Sequence, residues 1–281
     1  MTVLGLFRDE WVKLLARKRT YIGFGAFLGV QLAILGLLQH PRAQGQIGEL
    51  LGDNGLGFEN HYMGLTMAVV VIAFTYTLLG ALYVALIAGE VIAKEVEDGT
   101  MRMLLSRPVS RMKLLIGKSL AVTAYSVGLV LFLGVTALAF GTAYRGGLGD
   151  LFIFIPEEQL FARYDTGEGV LRYARAVACL ALGTVSITGL AVMFSCFDMK
   201  PAAATILTLS LFFVDLVLAN LPYFQAIQHY FVTYHFRFWA RTFHDPVPWP
   251  AIAGSVAYLL GWTATFFTIG AARFCTRDFK A

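Results

Sequence analysis

The stretch Glu95–Lys113, EVEDGTMRMLLSRPVSRMK, is the most charged part of the chain and lies between two long apolar runs, residues 63–89 and 114–140. Each run is long enough to cross about 30 Å of hydrocarbon as a helix, which takes about 20 residues at 1.5 Å rise. A short charged insert between such runs reads as a loop at one membrane face. The rest of the chain agrees: 58% of its 281 residues are hydrophobic and 14% charged, with mean hydropathy +0.68, where soluble domains average about 25% charged.

The fold class read from this pattern is all-α, a polytopic membrane protein with a single transmembrane domain over residues 1–281. Six transmembrane helices are expected, at 21–38, 63–89, 114–140, 173–195, 202–221 and 251–272. Helices satisfy their own backbone in lipid. A β-barrel is disfavoured because the runs are continuously apolar rather than alternating. Cys179, Cys196 and Cys275 are too widely spaced to indicate a disulfide framework or a metal cluster.

About twenty residues precede the first apolar run and no small-x-small site follows it, so a cleaved signal peptide is not expected. Residues 1–20 place Leu4, Phe7, Trp11, Leu14 and Leu15 at helical spacing, with Arg8, Asp9, Lys13 and Arg17 between them. This predicts an amphipathic helix, lying in the interface or packed on the protein's own cytoplasmic surface.

Six spans put both termini, the 95–113 segment and the short 196–201 link on one side. That side carries Arg8, Lys13, Arg17, Lys18, Arg19, Lys94, Arg102, Arg107, Arg111, Lys113, Lys118, Lys200, Arg273, Arg277 and Lys280. The other side has only Arg42, Arg145, Arg163, Arg172, Arg175, Arg237 and Arg241. The positive-inside rule makes the first side cytoplasmic. Of the external segments, 141–172 contains Pro156-Glu157-Glu158, which reads as a helix start. Segment 222–250 is so rich in aromatics that it suggests short re-entrant helices or an aromatic belt.

Motifs for catalysis are missing. Gly117-Lys118-Ser119 looks like the end of a phosphate-binding loop, but the pattern needs a glycine at 112, where Met stands. His40, His61, His229, His235 and His244 form no H-E-x-x-H, and no G-x-S-x-G occurs. No catalytic residue, metal ligand or cofactor is expected, and no nucleic-acid partner. Asp215 is the one carboxylate clearly within a span, bonded structurally or lining a pathway. Gly25-x-x-x-Gly29 would let another helix approach closely.

Within the opening stretch, Asp98-Gly99 marks a turn, Thr100 is expected to cap a short helix and Pro108 to stop it. Ser110 then caps the helix that enters the third span. Met101, Leu104 and Leu105 share one face, which suits docking into a groove on a partner or resting on lipid.

The run GEVIAKEVEDGTMRMLLSRPVSRMKLLIGKSL, residues 89–120, resembles the signature of bacterial ABC type-2 exporter permeases. In that family an acid precedes Gly-Thr, a Leu-rich helix, Ser-x-Pro-(Val/Leu)-Ser-Arg and Leu-Leu-x-Gly-Lys. The N-terminal amphipathic helix, the six spans and the FCTRDFK ending agree with the family over the whole length. The resemblance implies that Glu95, Gly99, Thr100, Met101, Leu104, Leu105, Arg107 and Pro108 form the coupling segment, which inserts into a separate cytoplasmic ATP-binding cassette subunit. It also implies a second permease subunit, as homodimer or heterodimer, in the bacterial inner membrane, with no ATPase site in this chain. The alternative function is a self-sufficient channel or secondary transporter.

Overall fold

The computed structural model describes residues 2–42, 44–45, 63–106, 109–155 and 160–278. His61, Arg107, Pro108, Pro156-Glu157-Glu158 and Lys280 lie outside the described residues. Helix α1, Val3–Ala16, starts at Thr2, whose Oγ1 accepts the N–H of Gly5 at 3.3 Å. Helix α2 is Lys18–Gln39 and α3 is Gly64–Thr75. One π-helical stretch, Tyr76–Gly80, joins α3 to α4, Ala81–Glu97. The junction residues Thr75, Gly80 and Ala81 keep right-handed helical backbone, so the winding widens without a break. Helix α5 is Thr100–Leu105, and α6, Arg111–Arg145, begins at Ser110, whose Oγ accepts the N–H of Lys113.

Among the described residues five helical stretches are each long and apolar enough to cross a membrane: Thr20–Gln39, Arg111–Arg145, Thr166–Ser195 (α7), Pro201–Asn220 (α8) and Trp249–Thr276 (α10). Proline near the start of α8 and α10 fits the first turn, where its missing N–H leaves no bond unmade. The run expected as one span at 63–89 carries the π turn within it, and α3 alone is a shorter apolar helix.

Helix α7 is the central post, packing against α4, α6, α8 and α10. Lipid tails are as apolar as leucine, so packing and polar bonds must set which helix meets which. Gln31 of α2 donates to the Leu133 carbonyl of α6 at 3.0 Å, and Tyr173 of α7 donates to the Gly134 carbonyl at 2.7 Å. Ser195 Oγ, at the end of α7, accepts the N–H groups of Ile92 and Ala93 in α4. Gly25 and Gly29 meet nothing within 4 Å; Gly23 is the α2 glycine that lies against another helix, under Tyr83.

The end of the bundle away from the termini is closed by irregular segments. Strands β1, Leu151–Ile155, and β2, Leu160–Tyr164, form an antiparallel hairpin with Leu151 opposite Tyr164. The helix expected to begin at Pro156 is therefore not formed at Leu160–Tyr164. The alternation of Leu160, Ala162 and Tyr164 with outward Phe161 and Arg163 suits a strand with one covered face, and Phe152 donates its N–H to Thr66 Oγ1. Beyond α8 come two 3-10 helices, Pro222–Tyr230 and Phe236–Phe243, flanking α9, Val232–His235.

Arg172, near the start of α7, joins these pieces while only 3% exposed. Its guanidinium pairs with Glu168, donates to the carbonyls of Thr242 (3.2 Å) and His244 (2.6 Å), and lies 4.0 Å over the Tyr164 ring. Tyr164 in turn donates its hydroxyl to the Phe243 carbonyl. Arg172→Ala should strip two buried carbonyls of their donor and cost roughly 2–3 kcal/mol. The check is thermal unfolding of the purified protein, with proteolysis appearing first around residues 242–248.

Candidate functional site

The opposite end gathers α1, α5, the 196–200 link and the C-terminal residues. The α4-to-α5 turn is two residues long. Asp98 and Gly99 close α4 by donating to the carbonyls of Lys94 and Val96, and Gly99 has φ 70°, a left-handed conformation that glycine adopts without strain. Gly99 thus ends one helix and starts the next, which leaves Thr100 as the first residue of α5 rather than its expected cap. Thr100 Oγ1 instead donates back to the Glu95 carbonyl at 3.2 Å.

Helix α5 has six residues and is about 9 Å long. Met101 is 1% exposed, buried in a cluster with Leu6, Ile92, Leu115 and Phe274, and Leu104 and Leu105 pack partly against the same cluster. The face expected to be offered outward thus seats the helix on its own protein. So short a helix is not stable without such a seat. What it presents outward is Arg102, Met103 and Ser106, with Met103 66% exposed.

Glu95 ends the last turn of α4 that precedes this turn, and its carboxylate is buried in an ionic cluster. Lys118 Nζ lies 2.8 Å from Glu95 and 2.9 Å from Glu10 of α1. Lys13 Nζ lies 2.8 Å from Glu10 and 3.1 Å from Glu95. Two ammonium groups and two carboxylates alternate, so the cluster is neutral as a whole. That neutrality makes its burial tolerable, since an isolated charge there would cost many kcal/mol. Lys118 has no solvent exposure at all.

The neighbouring glycine explains how α1 gets close enough. A Cβ on Gly117 would sit 2.8 Å from Leu6 Cβ, so only glycine lets α1 lie directly on α6. The buried stripe of α1 is Leu6, Glu10 and Leu14, a strict i, i+4, i+8 row. Phe7 and Trp11 are partly covered, while Leu4 is 76% exposed and Leu15 is also exposed. The expected apolar stripe is rotated because Glu10, polar by type, is drawn inward by Lys118. Neither glutamate nor lysine of this cluster, except Glu95, was legible as a site. The available signal was Lys118 itself, a lone cation inside the apolar run 114–140, where charge is expensive unless paired.

Two arginines tie the remaining segments to the same end. Arg111 donates to the carbonyls of Cys275 (2.9 Å) and Arg277 (2.7 Å). Arg277, 7% exposed, donates to the Phe197 carbonyl at 2.9 Å and pairs with Asp198. Asp215 lies far along α8 from this end. Its carboxylate accepts the N–H groups of Val232 (3.3 Å) and Thr233 (2.7 Å) and the Thr233 hydroxyl (2.6 Å), acting as the cap of α9. Among the described residues no group of His, Cys, Asp and Glu could hold a metal ion.

Burial alone would raise the Glu10 carboxyl, but Lys118 and Lys13 together hold it below its ordinary 4.5. Burial would likewise lower Lys13, and the two carboxylates overcome this to raise it above 10.5. Glu10 therefore contributes stability above pH 4.5 that is lost as pH falls through its lowered value. Lys13 contributes below pH 10.5 and loses that contribution as pH rises through its raised value. The hydrogen-exchange protection of α1, corrected for the intrinsic rate at each pH, should stay high between these limits and fall beyond either. Lys118→Met should leave two buried carboxylates with only the half-exposed Lys13 between them and destabilise the α1 seat by roughly 3–5 kcal/mol. Lys118→Arg should retain most of it, and the same exchange measurement checks both.

A comparison with curated proteins gives no match. The family model described as ABC-2 family transporter protein matches residues 6–279. That span takes in the α1 cluster, the α4–α5–α6 segment and every apolar helix described above, so the chain is a multi-pass membrane permease that belongs to the ABC-2 transporter family.

Proposed function

We propose that this protein is the permease subunit of an ATP-driven exporter, coupling ATP hydrolysis by a separate cytoplasmic ATP-binding subunit to movement of substrate across the bacterial inner membrane. The observation that carries this reading is α5. It is a short helix seated firmly on its own protein, projecting Arg102 and Met103 from the end of the bundle that also bears most of the Lys and Arg. Membership of the ABC-2 family supports the ATP-binding partner.

In this reading α3, the π turn and α4 make one continuous crossing, which brings the spans to six with α2, α6, α7, α8 and α10. Both termini are cytoplasmic by the positive-inside rule. The coupling segment is Glu95, Gly99, Thr100, Met101, Leu104, Leu105, Arg107 and Pro108, with Met101, Leu104 and Leu105 fixing α5 in place and Met103 and Arg102 meeting the partner. Closure of the ATP-binding subunits pushes α5. Because α5 hangs between α4 and α6, and Glu95 is joined to both α6 and α1, the push reaches three helices at once. ATP then selects between inward- and outward-accessible arrangements by its different affinity for each. A second permease subunit completes the path.

Co-purification with a co-expressed ATP-binding cassette subunit tests the reading. Met103→Glu should weaken the complex and ATP-driven transport by about tenfold, the equivalent of one lost apolar anchor. Thermal unfolding of that variant should stay unchanged, because Met103 is exposed. Transport by the chain alone, indifferent to the ATP-binding subunit and to Met103→Glu, would instead establish a self-sufficient carrier.

A further inference from the structure

Beneath the segment that α9 anchors, α7, α8 and α10 leave a cavity of about 340 Å³ between them. Its walls come from Ile187 and Leu190 of α7, Leu211 and Phe212 of α8, and Trp262 and Phe266 of α10, and Tyr230–Val232 and Phe236 roof it. Helices α8 and α10 each pack on α7, and the cavity opens at the bundle surface, where Leu211, Val214 and Trp262 are exposed. That surface lies within the apolar length of three helices long enough to cross a membrane, which places the mouth at hydrocarbon depth.

The Ser186 hydroxyl and the Asp215 carboxylate in the walls are already bonded. Ser186 Oγ donates to the Leu259 carbonyl at 3.0 Å, and both Asp215 oxygens are occupied by Val232 and Thr233. The cavity therefore has an apolar lining and no free carboxylate for a cation or polar ligand. Its volume is at the low end of ligand pockets, which run from about 300 to 1,000 Å³. An apolar cavity of this kind takes an apolar guest. Arg237 follows the roof residue Phe236 in the chain and donates to Asn220, at the end of α8. Among the described residues no carboxylate is in ion-pair contact with Arg237.

We propose that this cavity binds one acyl chain of a bilayer phospholipid, inserted sideways between α8 and α10, with the headgroup phosphate at Arg237. The chain replaces missing packing against α7, and the phosphate pairs with the Arg237 guanidinium. The site belongs to the single chain and does not depend on any ATP-binding partner.

The test counts phospholipid retained by the full-length protein through extended detergent washing, by native mass spectrometry. Leu190→Trp and Leu211→Trp fill the cavity, whereas Ile206→Trp alters an exposed α8 position outside it. Retention should fall about tenfold in the two filling variants and stay unchanged in Ile206→Trp. Equal retention in all three overturns the proposal. So does disulfide formation between two copies through Leu211→Cys, which would make a second chain the occupant. A measurement that leaves the cavity intact uses a protein whose other tryptophans, Trp11, Trp239 and Trp249, are Phe, in nanodiscs with mid-chain-brominated phosphatidylglycerol. Trp262 fluorescence should quench at low brominated fraction and saturate, and Arg237→Gln should shift that saturation to higher fraction by about tenfold. Quenching simply proportional to the brominated fraction would indicate ordinary contact with surrounding lipid and overturn the site.

Discussion

An ammonium group with no access to solvent dictates the layout of one whole end of this molecule. Lys118 sits a few residues inside a helix of apolar side chains, and it must find anions there or lose its charge. It finds two, Glu10 of α1 and Glu95 of α4. Lys13 completes the neutral square. The consequence is geometric more than energetic, since buried ion pairs as such are weak evidence for stability. Four charges paired across three helices tie α1, α4 and α6 together beside α5.

The far end follows the same logic with different chemistry. Arg172 gathers two carbonyls, a carboxylate and an aromatic face, joining α7 to the hairpin and to the 236–245 segment. Asp215 performs a similar service for α9. Between these ends the long helices meet through methyl groups, aromatic edges and a few buried hydroxyls and amides. Apolar surface gives little preference for one register over another when the surroundings are equally apolar. Polar fasteners at the two ends therefore set registers that the middle could not set alone.

Much of this architecture was readable in the residues. The apolar runs fixed the helical class, Ser110 capped its helix as its type suggests, and the two-residue Asp98-Gly99 turn fell where its residues require. The π turn within the run at 63–89 was not readable, because it adds no residue type that announces it. The strand at Leu160–Tyr164 was missed because five residues of either periodicity are nearly indistinguishable without the partner strand. The α5 face was identified as apolar, but whether an apolar face points outward or inward is a property of what surrounds it. Met101 could not disclose that Leu6 and Phe274 would be waiting.

By itself the sequence determined that the chain is a bundle of membrane helices, because a run of apolar residues at 1.5 Å per residue can cross a bilayer in only one way without orphaning its backbone. It also determined where the turns fall, through glycine, proline and serine acting on their nearest neighbours. Only the tertiary structure decided the partners of Lys118. Glu10, Glu95 and Lys118 stand far apart in the chain, and a carboxylate on a helix carries no mark of the lysine that will claim it. Charge pairing across such distances depends on the approach of helices, and that approach rests on Gly117, where a missing side chain lets α1 lie down on α6.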